Sequence, residues 1–347
     1  MANLNAIRQP NFNNLLRVLN RQVPDRPTLF EFFLNGRLYQ KLAGPAFTVD
    51  PAPVAQMRLL IAAFQAAGYD YATVSGSNLC FSSGERPHRS SVSMNEGAVI
   101  HDRASFNAYD WPNPDTLDYS GLAAIRPDLP TGMKLIVCGP GGVLENVMSL
   151  VGYEATCYMT LDDPGLAADI FAAVGTRIVR HYQIAGRYDT VGAMISNDDW
   201  GFKSQPMLSP AAMREFVFPW HRKIVEAIHA TGRPAILHSC GNLETVMDDI
   251  IVNLQYDGKH SYEDTILPVE QAYDKYHNRI AILGGIDLDF VVRSTPEKVR
   301  QRSLAMLDRS ARAGGYALGT GNSVPEYVPD ANYFAMISAA IQAAVSG

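Results

Sequence analysis

Residues 234–242 read PAILHSCGN, a short apolar run that is followed at once by polar side chains. The run at 234–237 predicts a strand, and its lack of polar alternation is typical of a parallel strand buried on both faces. His238, Cys240 and Asn242 then stand at the carboxyl end of that strand. The stretch therefore predicts an α/β fold whose functional side chains follow its strands.

The same apolar pattern recurs along almost the whole chain. Further strands are predicted at 28–34, 70–74, 134–138, 190–195, 253–258, 279–283 and 316–318. Helices fill the gaps: Ser209-Pro210 supplies an N-cap and a first-turn proline for one helix, and Thr295-Pro296 does so for another. Eight strands that alternate with helices predict the α/β class and, within it, a (β/α)8 TIM barrel. A doubly wound open sheet also alternates and is the second possibility.

A single domain is predicted over residues 1–347, with one long insertion after the second strand at 75–128. The insertion is rich in Ser, Asn, Pro and Asp and is too long for one βα repeat. Because loops after barrel strands lie on the C-terminal face, we expect this segment beside the binding site. A surface loop without a role in binding is the alternative.

Composition and charge exclude several classes of protein. The formal net charge is −6, from 29 Lys and Arg against 35 Asp and Glu, which argues against a general nucleic-acid binder and gives no reason for binding to anionic membranes. Four cysteines are too few for a disulfide scaffold. The first ten residues lack the apolar core of a signal peptide, and no stretch approaches the ~20 apolar residues of a membrane span. A cytoplasmic location is therefore expected.

Polar side chains follow five successive predicted strands. The clusters are SNDDWG at 196–201, HSCGN at 238–242, KHSYED at 259–264, GGID at 284–287 and GTGNS at 319–323. In a (β/α)8 barrel all five clusters lie on the rim that carries the active site. One such cluster would be a weak signal, whereas five in succession predict a site.

His238 and Cys240 stand two residues apart at a strand end, so their side chains point the same way. An imidazole and a thiolate together form half of a zinc site, although a simply buried Cys240 is the alternative. A third ligand must come from another cluster. The candidates are Asp198, Asp199, His260 and Glu263.

The acidic residues and His260 are also candidates for acid–base chemistry. Adjacent carboxylates point to opposite sides, so we expect one of Asp198 and Asp199 to be functional and the other structural. His260 and Glu263 are predicted to supply proton-transferring groups. A His260 that is merely hydrogen-bonded to Asp264 within a polar network is the alternative.

Further rim residues are predicted to contact a substrate. They are Asp198, Trp200, Tyr262, Asp287 and Asn322. Aromatic side chains here form either the walls of an apolar pocket or ordinary packing, and the same holds for Tyr109, Trp111 and Tyr327. The GPGG stretch at 139–142 precedes a helix as a phosphate-binding loop would, but it lacks the lysine of a P-loop, so a tight turn is the alternative.

Taken in order, the stretches DDWG (198–201), LSP (208–210), LHSCGN (237–242), PVE (268–270), LGGID (283–287) and GTGNSVP (319–325) resemble the uroporphyrinogen decarboxylase (URO-D) superfamily. The resemblance covers roughly the C-terminal half of the chain. It implies a (β/α)8 barrel and suggests a homodimer. The superfamily contains decarboxylases that need no cofactor and zinc-dependent methyltransferases that serve corrinoid proteins, coenzyme M or methoxylated compounds.

The resemblance to the decarboxylase branch is incomplete. That branch carries an arginine-rich signature after the first strand, where this chain reads EFFLNGRLY at 31–39 with a single arginine. A substrate with many carboxylates requires several cations at the mouth of the barrel. The only nearby candidates are Arg37, Arg86, Arg89 and Arg103. These residues count against a porphyrin-pathway decarboxylase.

The methyltransferase branch uses an H-x-C pair and a later cysteine near the last strand. His238 and Cys240 match the pair, whereas Asn322 stands where we align the later cysteine. The resemblance thus implies Zn²⁺ on His238 and Cys240, completed by a carboxylate from Asp198, Asp199 or Glu263. In that interpretation His260 is a proton donor or orienting group and Asn322 a polar substrate contact.

The expected function is therefore methyl transfer from a small-molecule donor to a corrinoid protein or a thiol, with Zn²⁺ as Lewis acid. The first alternative is a metal-free decarboxylase in which Asp199 holds pyrrole N–H groups. The second is a non-catalytic barrel that binds a tetrapyrrole or corrinoid. Fold analogy alone does not decide among the three.

Overall fold

The computed structural model describes residues 8–45, 47, 54–84 and 94–343. Its sheet has seven strands: β1 (Tyr71–Ser75), β2 (Lys134–Cys138), β3 (Val191–Asn197), β4 (Ala235–His238), β5 (Gly258–His260), β6 (Ala281–Leu283) and β7 (Tyr316–Ala317). The strands are all parallel, and their order in the sheet is their order in the sequence. Each crossover therefore advances by one strand, and the predicted α/β class is confirmed.

Helices occupy the segments before, between and after the strands. They are α1 (Asn13–Leu19), α2 (Gly36–Ala43), α3 (Ala55–Ala66), α4 (Arg103–Ala108), α5 (Gly121–Ala124), α6 (Val143–Val151), α7 (Tyr153–Asp162), α8 (Pro164–Ala185), α9 (Pro210–Ala212), α10 (Phe218–His229), α11 (Val269–Tyr276), α12 (Leu288–Arg293), α13 (Pro296–Ser310) and α14 (Asp330–Ala343). The predicted caps are present, since Ser209 accepts from the Ala212 N–H and Thr295 from the Lys298 N–H. Among the described residues, no helix combines the length and apolar character that crossing a membrane requires.

The first predicted strand, at 28–34, is an extended segment with a single bridge rather than a strand. Leu29 pairs in parallel with Leu318 just beyond β7. On the other side, the Tyr71 hydroxyl in β1 accepts from the Glu31 N–H at 2.7 Å and donates to the Glu31 carbonyl at 2.6 Å. Because a side chain takes these backbone groups, they are not available for a ladder with β1. The eight-stranded barrel that we predicted is therefore not confirmed: the described residues form seven strands, and the segment at 28–34, here called the bridging segment, contacts the last strand region and the first strand.

The strand predicted at 253–258 lies later, at Gly258–His260. The preceding residues Asp249–Asn253 form a π-helical turn instead. The Asn253 Nδ2 donates to Asp249 Oδ1 at 2.8 Å, and the Leu254 N–H donates to the Asp249 carbonyl at 2.8 Å. These local hydrogen bonds hold the chain in a helical turn. The shift brings His260 level with His238 of β4.

The segment between β1 and β2 packs, in its described later part, against helix α8. Arg177 of α8 lies over the Trp111 ring at 4.9 Å, Arg180 pairs with Asp115, and the Tyr119 hydroxyl lies 3.0 Å from His181 Nδ1. Trp111 belongs to a ring cluster with Phe81, Phe106 and Tyr109, which favours packing over a pocket wall. Residues 85–93 lie outside the described part, so a position of this insertion beside the site, like the single domain over 1–347, stays a prediction.

Candidate metal centre

Three side chains that can bind a metal meet at the carboxyl ends of β3 and β4. One ligand atom each from Asp199, His238 and Cys240 lies within 4.8 Å of the other two. His238 Nε2 is 3.9 Å from both Cys240 Sγ and Asp199 Oδ1. Metal–ligand bonds of about 2.0–2.3 Å in a tetrahedron place ligand atoms about 3.3–3.8 Å apart, so this spacing fits Zn²⁺. Of the four candidate third ligands, the structure brings Asp199 to the pair.

Two loops that contact each other hold this arrangement. The Cys240 N–H donates to Asp199 Oδ1 at 2.8 Å, so the loop after β4 orients the carboxylate from the loop after β3. Gly241 has φ +87°, and a Cβ there would lie 2.1 Å from the Gly201 carbonyl oxygen. Only glycine permits both the conformation and the contact. The HSCGN motif therefore supplies two of the three candidate ligands and also the glycine that lets the loops meet.

His260 lies behind His238, with no exposed surface. Its Nδ1 is 2.8 Å from His238 Nδ1, and its Nε2 is 3.1 Å from the Thr320 carbonyl oxygen. Burial lowers the pKa of His260 to about 3. It also lowers the pKa of His238 well below its usual range, with a further contribution from the nearby His260 and Lys259. Both imidazoles are therefore neutral, which is the form that binds metals.

The predicted partner of His260, Asp264, lies elsewhere and pairs with Arg302. Because both His260 nitrogens are engaged and the ring is fully buried, the structure gives it no surface toward a substrate. The expectation that His260 acts directly as a catalytic acid is corrected accordingly.

Asn322 contacts the cysteine. Its Nδ2 donates to Cys240 Sγ at 3.1 Å, while its Oδ1 accepts from the Ser323 N–H at 2.7 Å. The thiol lies 3.6 Å from Ser261 Oγ. Burial first, and then the charge of Asp199, raise the pKa of the Cys240 thiol to about 12. A bound cation reverses that balance, because a coordinated thiol is deprotonated.

Asp198 is a structural residue. Its carboxylate, which is fully buried, accepts from the Leu144 and Glu145 N–H groups at 2.9 Å each and lies 2.8 Å from His221 Nε2. It thereby caps α6, and a Cβ on Gly142 would lie 1.9 Å from its Cγ. The carboxylate holds the position where an anion would bind, so the loop at 139–142 is not a phosphate site. The predicted contact of Asp198 with a substrate is corrected for the same reason.

Trp200 is also part of the core. Its side chain is fully buried and packs against Phe218 and His221, with ring centroids 5.3 and 4.6 Å away. Its backbone N–H donates to Ser239 Oγ at 3.2 Å. Trp200 therefore packs in the core and joins the loop after β3 to the loop after β4, and the predicted substrate contact is wrong for this residue.

The remaining predicted substrate residues line one groove beside the centre, here called the rim groove. The groove has a volume of about 1360 Å³, which includes space open to solvent. Its lining includes Lys203, Tyr262, Glu263, Asp264, Asp287, Asp289, Phe290, Arg293 and Asn322. Asp287 has a structural task as well, since it caps α12 through the Phe290 N–H at 2.8 Å. The structure thus brings Tyr262, Glu263 and Asn322 together in one groove, and their roles toward a substrate stay predictions.

Comparison with known proteins identifies the lineage. The sequence profile described as uroporphyrinogen decarboxylase (URO-D) matches residues 98–343. The chain belongs to the URO-D family. The predicted resemblance is therefore confirmed, and the match begins before β2 and runs to the end of α14.

Curated relatives come from both branches of the family. The chain is 25% identical over 177 residues to a methylated-thiol–coenzyme M methyltransferase of Methanosarcina mazei, over 51% of this chain and 46% of the relative. It is 29% identical over 132 residues to a uroporphyrinogen decarboxylase of an Anaeromyxobacter species, over 38% of this chain and 36% of the relative. The matches thus span less than half the length of either relative.

A solved structure shares the whole architecture. A methyltransferase from Methanosarcina mazei superposes with a TM-score of 0.71 over 96% of this chain and 99% of the other chain. The two sequences are 14% identical, so the likeness is one of fold alone. It extends to the N-terminal part of the chain that the family profile leaves out.

Two of the four arginines that could bind a polycarboxylate form ion pairs with carboxylates of this chain. Arg37 pairs with Glu326 and Asp330, and Arg103 pairs with Asp169. The other two candidates, Arg86 and Arg89, lie outside the described residues. Neither of the two described candidates is therefore a free arginine for a polycarboxylate.

Sequence reasoning missed two ionisable neighbours of the centre. Lys259 is buried, its Nζ donates to the Ser261 carbonyl at 2.7 Å, and burial lowers its pKa to about 8. Burial, with the charges of Asp198 and Asp199, raises the pKa of Glu145 to about 8. Lys259 belongs to the KHSYED cluster that we had singled out, but its burial depends on the shifted strand.

Glu31 is a third residue that the sequence did not single out. Its Oε1 accepts from the Thr320 N–H at 2.7 Å, and its Oε2 lies 2.7 Å from Thr320 Oγ1. Burial raises the pKa of Glu31 to about 8 against the usual 4.5. A glutamate inside the apolar run TLFEFFL was the available signal. This residue ties the bridging segment to the loop after β7.

Proposed function

We propose that this URO-D family member is a zinc-dependent methyltransferase that moves a methyl group from a small donor to a corrinoid protein or a thiol. The observation that carries the proposal is the convergence of Asp199, His238 and Cys240 ligand atoms within 4.8 Å. A nitrogen, a sulfur and an oxygen donor make a donor set suited to catalytic zinc, which takes three protein ligands and keeps its fourth position for water or substrate. The methyltransferase relative, at 25% identity over 177 residues, favours the same branch.

Zinc held by these residues supplies Lewis acidity toward the leaving heteroatom or stabilises a thiolate acceptor. The chain's own groups do the positioning. Asn322 donates to the Cys240 sulfur and so restrains its direction, while the Cys240 N–H restrains Asp199. Asn322 also lines the rim groove and so connects it to Cys240, and the partly exposed Glu263 is the lining carboxylate that we assign to proton transfer.

The charge of the rim groove argues against a porphyrinogen substrate. Its lining contributes four carboxylates, from Glu263, Asp264, Asp287 and Asp289, against two cations, from Lys203 and Arg293. Because several of these are paired with one another or with Arg302, little positive charge is left for a molecule with many carboxylates. A small neutral or cationic methyl donor suits this lining better.

Metal content is the first test. We expect about one zinc per chain by mass spectrometry of purified wild type, and loss of zinc in Cys240→Ser. Cys157→Ser is the matched control, because Cys157 is partly buried like Cys240. Absence of bound zinc in the wild type would sink the zinc part of the proposal and would leave a metal-free decarboxylase or a ligand-binding barrel.

Methyl transfer itself is tested with methylcobalamin and a panel of small thiols that includes coenzyme M. Demethylation is followed by the change in cobalamin absorbance, and the methylated thiol is identified by mass spectrometry. Wild type and Cys157→Ser should turn over and Cys240→Ser should not. Turnover of uroporphyrinogen, with none of methylcobalamin, would establish the decarboxylase instead.

A further inference from the structure

We propose that His260 is a positioning residue that fixes the tautomer of His238 and so leaves His238 Nε2 bare for a metal. This inference rests on the proposed metal site, because it states how one of its ligands is prepared. It assigns to His260 a task other than proton transfer to a substrate. The argument counts hydrogen-bond donors and acceptors along one chain of contacts.

The chain begins at Thr320, in the loop after β7. Its carbonyl oxygen lies 3.1 Å from His260 Nε2 and also accepts from the Gly285 N–H at 2.8 Å. A carbonyl can only accept, so the proton of this contact sits on His260 Nε2. The carbonyl is held in place from the other side of the same residue, because Glu31 accepts the Thr320 N–H at 2.7 Å.

The neutral imidazole of His260 then has one lone pair, on Nδ1. The ring is fully buried between the Phe30 ring, 5.2 Å away, and the His238 ring, 5.0 Å away. A buried imidazole without a facing carboxylate is neutral, because burial disfavours the charged form. With Nε2 protonated, Nδ1 of His260 is therefore an acceptor.

The two Nδ1 atoms lie 2.8 Å apart, which is a hydrogen bond and requires one donor. Since His260 Nδ1 accepts, the proton belongs to His238 Nδ1. A neutral His238 then carries its lone pair on Nε2, the atom that is 3.9 Å from both Cys240 Sγ and Asp199 Oδ1. The bare nitrogen thus points at the other two proposed ligands.

The backbone near His260 is built to allow this contact. Gly284 has φ +66°, and a Cβ there would lie 2.3 Å from the Thr320 carbonyl oxygen and 2.9 Å from His260 Nε2. Any other residue at this position would separate the donor from its acceptor. The first glycine of the GGID motif therefore leaves the space in which His260 Nε2 reaches the Thr320 carbonyl oxygen.

Metal affinity in three histidine variants tests the inference. His260→Leu should bind Zn²⁺ about 10–100-fold more weakly than wild type, by competition with a chromophoric chelator, because outer-sphere partners of metal-bound histidines have effects of this size. His260→Gln keeps an acceptor for His238 Nδ1–H and a donor for Thr320, so its affinity should stay within a few-fold of wild type. Wild-type affinity in His260→Leu would overturn the inference.

The matched control is His181→Leu. His181 is also buried, and its nitrogens contact the Cys138 carbonyl and the Tyr119 hydroxyl, away from the proposed ligands. Its loss should leave zinc affinity unchanged. Equal weakening in this control would assign the effect to general loss of packing and would overturn the role of His260.

Long-range ¹H–¹⁵N NMR of histidine-labelled, metal-free wild type provides a measurement that needs no variant and no zinc. We expect His238 to carry its proton on Nδ1 and His260 on Nε2. A proton on His238 Nε2 would overturn the inference even if zinc binds. The expected tautomers in a protein that binds no zinc would uphold the positioning of His238 while the proposed function fails.

Discussion

At the scale of single residues, the chemistry of the site depends on which nitrogen and oxygen atoms carry a proton and which can accept one. Glu31 illustrates this beside the centre. Thr320 Oγ1 contacts both Glu31 Oε2 and the Asn322 carbonyl oxygen, and a hydroxyl has one proton to donate. Since the carbonyl can only accept, the pattern is satisfied when Glu31 is protonated, donates to Thr320 Oγ1, and Thr320 donates to Asn322. The raised pKa of about 8 agrees with a neutral carboxyl.

Glu31→Gln should therefore keep the network and remove its pH dependence. The folded pKa of about 8 lies above the unfolded value of 4.5, so the stabilisation by wild-type Glu31 is complete below pH 4.5 and is lost as the pH rises toward 8. Relative to wild type, the variant should gain up to about 1.4 kcal/mol per pH unit across that window. Urea unfolding of metal-free protein between pH 5 and 8 measures this, with the exposed Glu226→Gln as control. Parallel stability curves for wild type and Glu31→Gln would contradict it.

Some features of the site could be predicted from the local sequence, and others depend on residues far away in the chain. The spacing of His238 and Cys240 is local, because residues two apart on a strand share a face. Which of Asp198 and Asp199 has the structural role, and which faces the candidate metal centre, is not determined by local sequence. It depends on which of the two meets the N-terminus of α6, and that helix begins more than fifty residues earlier. The position of His260 likewise requires the register between β4 and β5.

At the scale of secondary structure, Asp198 joins β3 to α6. Replacement by Ala leaves the Leu144 and Glu145 N–H groups and the buried His221 without their acceptor, so we expect a loss of about 3–5 kcal/mol in the free energy of unfolding. Asp102→Ala, which removes the exposed cap of α4, should cost less. Urea unfolding of the two variants measures the difference.

Zinc content separates this structural role from a ligand role. Folded Asp198→Ala should bind zinc as wild type does, whereas Asp199→Ala should lose it with little change in the free energy of unfolding. Zinc loss in folded Asp198→Ala, with zinc retained in Asp199→Ala, would reverse the two assignments.

Most strands could be predicted, and the two exceptions share one cause. After Lys134, the run LIVC of β2 is apolar, as is AIL of β6, and buried parallel strands need that pattern. The run at 28–34 has the same pattern, yet the Tyr71 hydroxyl takes the backbone groups of Glu31. The run at 253–258 starts late because Asn253 and Asp249 hold a helical turn. In both places a side chain competes with the backbone ladder, and hydrophobic pattern alone does not reveal such competition.

At the scale of the whole molecule, the position of the site depends on joining the last strand to the first. The bridging segment at 28–34 does this, with a backbone bridge from Leu29 to Leu318 on one side and the Tyr71 hydroxyl on the other. Because Glu31 of this segment holds Thr320, and Thr320 holds His260, the join at the N-terminus is linked to the proposed ligand His238. Residues near the two ends of the sequence, Glu31 and Thr320, thus help to hold His238 in position through His260.

Tyr71→Phe tests that join. The change leaves the Glu31 N–H and carbonyl buried without their partner, so we expect a loss of about 1–3 kcal/mol and faster hydrogen exchange of the Glu31 amide. Tyr69→Phe is the matched control, because its similarly buried hydroxyl bonds the Tyr333 hydroxyl, which lies outside the segment. If the Glu31 amide exchanges at the wild-type rate in Tyr71→Phe, the segment is held by its bridge to Leu318 alone. If exchange rises in Tyr71→Phe and zinc affinity falls with it, the metal centre depends on closure of the sheet at its far edge.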